Sequence, residues 1–159
     1  MKSWASLICF LFLLLQVVLG LTTTVTTNVL SRNFDVQRML NLVNLQRTRN
    51  GRAPLKLDNR LVQAAQKHTN YQAKVGQLTH SEPSRPLSLR ISETGFRWTA
   101  IAENVAMGQI STDAVVRSWM NSPGHRQNIL NPQYTYFGAG YSSKGNYWTQ
   151  VFARGEYNK

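Results

Sequence analysis

The run YFGAGYSSKGNYWTQVFA, Tyr136 to Ala153, decides the fold. It holds two strand-like segments, Tyr136 to Ser142 and Asn146 to Ala153, and Ser143-Lys144-Gly145 between them has the turn chemistry of a β-hairpin. N-terminal to the hairpin, helical spacing dominates. From Asp35 onward Val36, Met39, Leu40, Leu42, Val43 and Leu45 recur near a helical period, which Asn50-Gly51 ends with Gly51 as the C-terminal cap. Asp58 is an N-cap for a second helix whose buried stripe is Leu61, Ala65, His68, Gln72 and Val75, stopped by Gly76. Thr112, read as another N-cap, opens a helix through Val115, Val116, Trp119 and Met120 that Pro123-Gly124 stops and turns, and His125 to Leu130 adds a further helical turn. Ile101 to Met107 is a short buried strand, and Pro86 to Glu93 a short helix with proline at its first position. Helices that precede and flank a small, largely antiparallel sheet make the fold class α+β.

The N-terminal segment belongs to no part of this pattern. Met1 to Gly20 carries one cation, Lys2, then the apolar run Leu7 to Leu15, then Val18-Leu19-Gly20, the three-part layout of a secretory signal peptide. Its apolar stretch, Ala5 to Leu19, is shorter than the roughly 20 residues needed to cross a bilayer, so no transmembrane anchor is expected after cleavage. Residues 21–31, with Thr22, Thr23, Thr24, Thr26 and Thr27, form a spacer, residues 32–155 the folded domain and 156–159 a tail.

Cleavage removes Cys9, the only cysteine, which excludes disulfides, thiolate metal sites and a cysteine nucleophile from the mature chain. Of its charged residues 17 are basic and 7 acidic, a net charge of about +10 that concentrates the protein near anionic surfaces. The basic residues are scattered rather than blocked, and the chain is expected to be secreted. Both points favour anionic cell-wall polymers or lipid headgroups over nucleic acid.

Chemistry has few places to reside. His80, Glu103 and His125 each follow a punctuation signal or interrupt an apolar run. A carboxylate among apolar neighbours is costly unless paired, so Glu103 needs a partner. One reading gives it loop N–H groups or a cation such as Arg126, with His125 capping its turn; the other makes the three residues metal ligands, although spacings of 23 and 22 residues form no local metal motif. His68, on the buried stripe, reads as a packed histidine. Ser81 and Ser122 lie in no nucleophile elbow, which weakens a serine triad.

Four ordered segments carry a resemblance: Leu78-Thr79-His80-Ser81, Ala102-Glu103-Asn104-Val105-Ala106-x-Gly108, Trp119-Met120-x-Ser122-Pro123-Gly124-His125-Arg126-x-Asn128-Ile129-Leu130, and Tyr147-Trp148-Thr149-Gln150-Val151-Phe152. Together they resemble the signatures of the CAP superfamily, also called the SCP or pathogenesis-related-1 family, in its compact, cysteine-free branch common in bacteria. The match runs from about Val36 to Arg154.

The resemblance implies an α-β-α sandwich with a central cleft, where the larger family places two histidines and two glutamates that hold zinc in several members. His80 and Glu103 match two of those positions. The other two depart: Trp119-Met120-Asn121-Ser122 stands where the pattern has Trp-x-x-Glu, and Tyr147 where it has a histidine before Thr149-Gln150. His125, characteristic of this branch, is the replacement ligand that the resemblance suggests. The implied cleft residues are therefore His80, Glu103, His125, Asn104, Tyr147 and Gln150, with Zn2+ held by the first three. The family's secreted members mostly bind sterols, fatty acids or other lipids, so the expected function is non-enzymatic binding of a lipid-like ligand at cell or host surfaces. A metal-assisted hydrolase and an electrostatic binder of anionic wall polymer are the alternatives.

Overall fold

The computed structural model describes residues 34–156. The signal-peptide and spacer assignments, residues 1–20 and 21–31, lie outside the described residues. No helix among the described residues is long and apolar enough to cross a membrane.

Five helices and four strands alternate along the chain: α1 (Val36–Arg49), β1 (Lys56–Leu57), α2 (Asn59–Val75), α3 (Leu87–Ser92), β2 (Trp98–Met107), α4 (Thr112–Asn121), α5 (Pro123–Leu130), β3 (Tyr136–Ser142) and β4 (Tyr147–Gly155). The sheet order is β1-β3-β4-β2. β3 and β4 form the expected antiparallel hairpin, β4 also pairs antiparallel with β2, and the two-residue β1 pairs in parallel with β3. Asn146, at φ 49°, belongs to the turn rather than to β4.

Alternation along β4 assigns the layers. Thr149 accepts hydrogen bonds from Thr69 and Gln72 of α2, at 2.8 and 3.1 Å, whereas the next residue, Gln150, bonds Asn104, which is itself bonded by Asn128 of α5. Successive strand side chains point to opposite faces, so α2 covers one face and α5, with α1 and α4, the other. This is the α-β-α sandwich. On the α2 face Leu61, Ala64 and Ala65 pack with Ile91, Phe96, Val151 and Ala153. On the other face lie Phe152, against Phe137 and Tyr134, and the fully buried Met39, Val43, Val115 and Trp119.

α2 sits unusually close to the sheet, and Gly138 and Gly140 make this approach geometrically feasible. A Cβ on Gly138 would run into the backbone of Leu61 and Val62, and one on Gly140 would stand 2.6 Å from Cα of Gln66. Gln66 fixes this contact by donating to the carbonyl of Tyr141 and accepting from its N–H, at 2.9 and 3.0 Å.

Several local expectations shift. Asn50, not Gly51, is the C-cap of α1, because its N–H closes onto Arg47 and Thr48 while Gly51 takes φ +68° one residue later. Ser111 rather than Thr112 caps α4, its hydroxyl accepting from the N–H of Ala114. Pro86 is the N-cap of α3 rather than its first residue. Val75 is 43% exposed, since the last turn of α2 runs past the sheet. β2 begins at Trp98, earlier than expected, and only Glu103 to Ala106 of it are buried.

Candidate functional site

Glu103 sits near the middle of β2, an edge strand, with its side chain only 3% exposed. Its partner is Arg90 of α3. The guanidinium donates from Nη1 to Oε2 at 2.7 Å and from Nη2 to Oε1 at 3.2 Å, the two-pronged geometry that makes arginine–carboxylate pairs strong. Arg126 is not that partner: it lies on the exposed side of α5 and reaches the amide oxygen of Asn50 at 3.4 Å.

The loop from Gln77 to Arg85 brings His80 to the same carboxylate. His80 Nδ1 stands 3.0 Å from Glu103 Oε1. Because a carboxylate accepts only, Nδ1 carries the proton and Nε2 is left as the acceptor of a ring whose side chain is 59% exposed. Arg90 secures the loop through the His80 carbonyl, 3.2 Å from Nη2, and Gln72 secures it by accepting from the N–H of Thr79 at 3.2 Å. Behind it lies His68, fully buried as expected of a packed residue. Its Nε2 donates to the Thr79 carbonyl at 2.8 Å and its Nδ1 lies 3.4 Å from Glu82 Oε2. Glu82 in turn pairs with Arg85 at 2.6 Å, and Arg85 with Glu93.

Burial by itself would raise the Glu103 carboxyl, but the hydrogen bonds from His80 and Arg90 outweigh it and hold the group below the usual carboxylate range. His125 is lowered, first by its own burial and then by the nearby charge of His80. That repulsion places His125 close to His80, yet no hydrogen bond joins it to His80 or Glu103. Its Nδ1 pairs with the Ser122 hydroxyl at 2.8 Å, so it caps its turn, and its carbonyl accepts from Asn104 at 3.2 Å.

The expected three-ligand metal site is therefore not formed. Among the described residues no group of three or more His, Cys, Asp or Glu side chains is arranged to hold a metal ion. The donor set also does not fit zinc chemically, because both Glu103 oxygens are committed to a permanent cation. Asn104 and Gln150 are brought together, but as an internal link: both are fully buried, Asn104 donates to Gln150 Oε1 at 3.2 Å, and Asn128 donates to Asn104 at 2.9 Å. Tyr147 is 5% exposed and its ring packs over Gly145 of the hairpin turn. The residues that sequence reasoning missed are Arg90 and Glu82. The available signal was Arg90 itself, a charge between Leu89 and Ile91 in the same way that Glu103 interrupts its apolar run.

The sandwich, the His80–Glu103 contact and the α4–α5 corner coincide with the four signature segments, and the model of the cysteine-rich secretory protein family, CAP, matches residues 40–152. The chain belongs to the CAP family. It is 34% identical over 133 residues to the uncharacterized protein YkwD of Bacillus subtilis (strain 168), covering 82% of this chain and 51% of that one. Among solved structures, an extracellular SCP-domain protein from Bacillus anthracis str. Ames superposes with a TM-score of 0.71 at 29% identity, covering 75% of this CAP chain and 40% of the other. An outer surface protein from Borrelia burgdorferi shares the fold, with a TM-score of 0.70 at 18% identity over 76% and 92% of the two chains. This CAP chain thus spans about half the length of the Bacillus relatives it matches.

Proposed function

We propose that this CAP chain is a secreted, non-enzymatic binding protein that takes a small amphipathic ligand with an acidic head at the corner between α4 and α5. The observation that carries this reading is a cavity of about 380 Å³ whose walls combine Met120, Pro123 and Leu130 with the guanidinium of Arg126. Arg126 has no carboxylate within salt-bridge distance among the described residues; its one side-chain partner is the neutral Asn50. An apolar wall beside a cation without a counter-charge suits an acyl chain ending in an acid. A fluorescent fatty acid titrated into the protein tests it. Saturable binding weakened about tenfold or more in Arg126→Glu and in Leu130→Asp is expected, and no saturable binding refutes the reading.

The absence of catalysis rests on Glu103. A carboxylate gripped by a guanidinium at both oxygens is a poor general base, and its imidazole neighbour, His80, faces no hydroxyl nucleophile. Turnover of an ester, peptide or wall-polymer panel that is lost in Glu103→Gln overturns it.

A second reading, an anionic envelope component as the larger partner, is supported by the disposition of charge. Asp58, Glu82, Glu93, Glu103, Asp113 and Glu156 each lie within 4.0 Å of an arginine, so the acidic charge is spent internally and the excess positive charge faces outward. Sedimentation with phosphatidylglycerol vesicles or purified wall polymer is expected to fall steeply with added salt; salt-independent binding removes the electrostatic reading.

A further inference from the structure

Three nitrogen and oxygen donors meet around one atom in this site. His80 Nδ1 lies 3.0 Å and His68 Nε2 3.8 Å from Glu103 Oε1. Donor atoms around a tetrahedral zinc, each at roughly 2.0–2.1 Å from the metal, are about 3.3 Å apart. The two separations bracket that spacing, and two histidines with one carboxylate are a zinc donor set. Yet the charge in the middle of the group is a guanidinium. Arg90, 2% exposed, spans both oxygens of Glu103 and also holds the carbonyl of His80.

We infer that Arg90 is the resident cation of this site: it takes the electrostatic place of a divalent metal, closes His68, His80 and Glu103 to zinc, and conceals a latent metal site that its removal uncovers. Three observations carry this. The oxygen a metal would use, Oε1, already accepts from Arg90 and His80, and Oε2 accepts the shorter Arg90 bond. A dication bound at Oε1 would stand within a few ångströms of a buried guanidinium, where low dielectric makes like-charge repulsion large. His68 meanwhile spends its Nε2 proton on the Thr79 carbonyl, a bond that holds the loop only while the site is metal-free. Because a guanidinium does not deprotonate in proteins, the exclusion persists across the whole working pH range and is indifferent to chelators.

The full chain is titrated with zinc chloride while the ring ¹⁵N signals of His68 and His80 are followed by NMR, and Arg90→Met, Arg90→Lys and the double variant Arg90→Met/Glu103→Gln are titrated by calorimetry. In the wild type both rings are expected to keep their signals through a tenfold excess of zinc, with no change on adding a chelator. Arg90→Met is expected to bind one equivalent at least a hundredfold more tightly than the wild type and to lose that gain with Glu103→Gln. Arg90→Lys, which keeps the charge, stays closed. A zinc-dependent shift of the wild-type His80 ring overturns the inference. So does a folded Arg90→Met chain that gains no zinc. Where Arg90→Met does not fold, the wild-type spectrum decides alone: unmoved rings support the inference and shifted rings overturn it.

Discussion

Trp119 donates its indole N–H to the main-chain carbonyl of Val105 across 3.2 Å, fastening α4 to β2 with a residue that is itself 1% exposed. Truncation to alanine removes a buried aromatic, a loss of about 3 to 5 kcal/mol, and orphans that carbonyl as well. Trp119→Ala is expected to unfold the domain or bring its urea midpoint close to zero. Trp119→Phe, which keeps most of the packing and loses the hydrogen bond, should fall between. A midpoint for Trp119→Ala equal to that of the wild type refutes this account of the interface.

Gly138→Ala and Gly140→Ala test the close seat of α2. The added methyl meets helix backbone, which cannot move aside as a flexible side chain would. Overpacking of this kind costs about 1 to 3 kcal/mol and more where backbone must shift. Both variants should therefore melt well below wild type, and Gly124→Ala, where nothing lies within 4 Å, serves as the neutral control.

Acid stability follows from Glu103 and His125. Both groups have folded-state pKa values below their usual ranges, so the unfolded chain binds more protons in the window between the two states. Stability from Glu103 is complete above the unfolded carboxyl value of roughly 4.3 and is lost as pH falls through the lower folded value. For His125 the same loss starts higher, as pH drops below roughly 6.5. Denaturation midpoints measured against pH should decline in two stages. His125→Asn is expected to flatten the upper stage and Glu103→Gln the lower, the latter also destabilising the protein at neutral pH by about 3 to 5 kcal/mol because Arg90 is left buried without its counter-charge. An unchanged lower stage in Glu103→Gln counts against the assignment.

Arg47 is a second buried cation, with no carboxylate at all. Its guanidinium donates to the carbonyls of Ala53, Ile129 and Asn131 at 2.8, 2.7 and 2.9 Å and reaches Tyr134 at 3.4 Å, so one side chain gathers the turn after α1 and the end of α5. Lysine cannot span this fork. Arg47→Lys and Arg47→Met should each lower stability, on the order of 3 kcal/mol, read as a reduced melting temperature.

How much of this was legible in the sequence depended on the range of each signal. The hairpin, α1, α2 and α4 announce themselves through local periodicity and caps, and the buried carboxylate of Glu103 announces its need for a partner. The identity of that partner is a non-local fact: Arg90 reaches Glu103 only because α3, inside a long connection without strong periodicity, folds back over the edge of β2. Lys56–Leu57 is too short to show strand alternation, which is why the parallel β1 escaped notice. Asn104 and Gln150 were placed at the cleft on polarity alone, whereas strand alternation turns them inward, where they bond each other and α5.

The side chains fastened to β2 carry one more implication. Three alternate carbonyls on this outermost strand, those of Ile101, Glu103 and Val105, accept from Tyr134, Asn128 and Trp119, at 3.4, 3.3 and 3.2 Å. An unclaimed row of such groups is a template on which another chain can add a strand, the usual route to fibrils and swapped dimers. Here that template is already occupied by the protein's own side chains, and the opposite border of the sheet is only two residues long. A chain that works at high local concentration on a surface, without disulfides to restrain it, is thereby guarded against polymerising through its sheet.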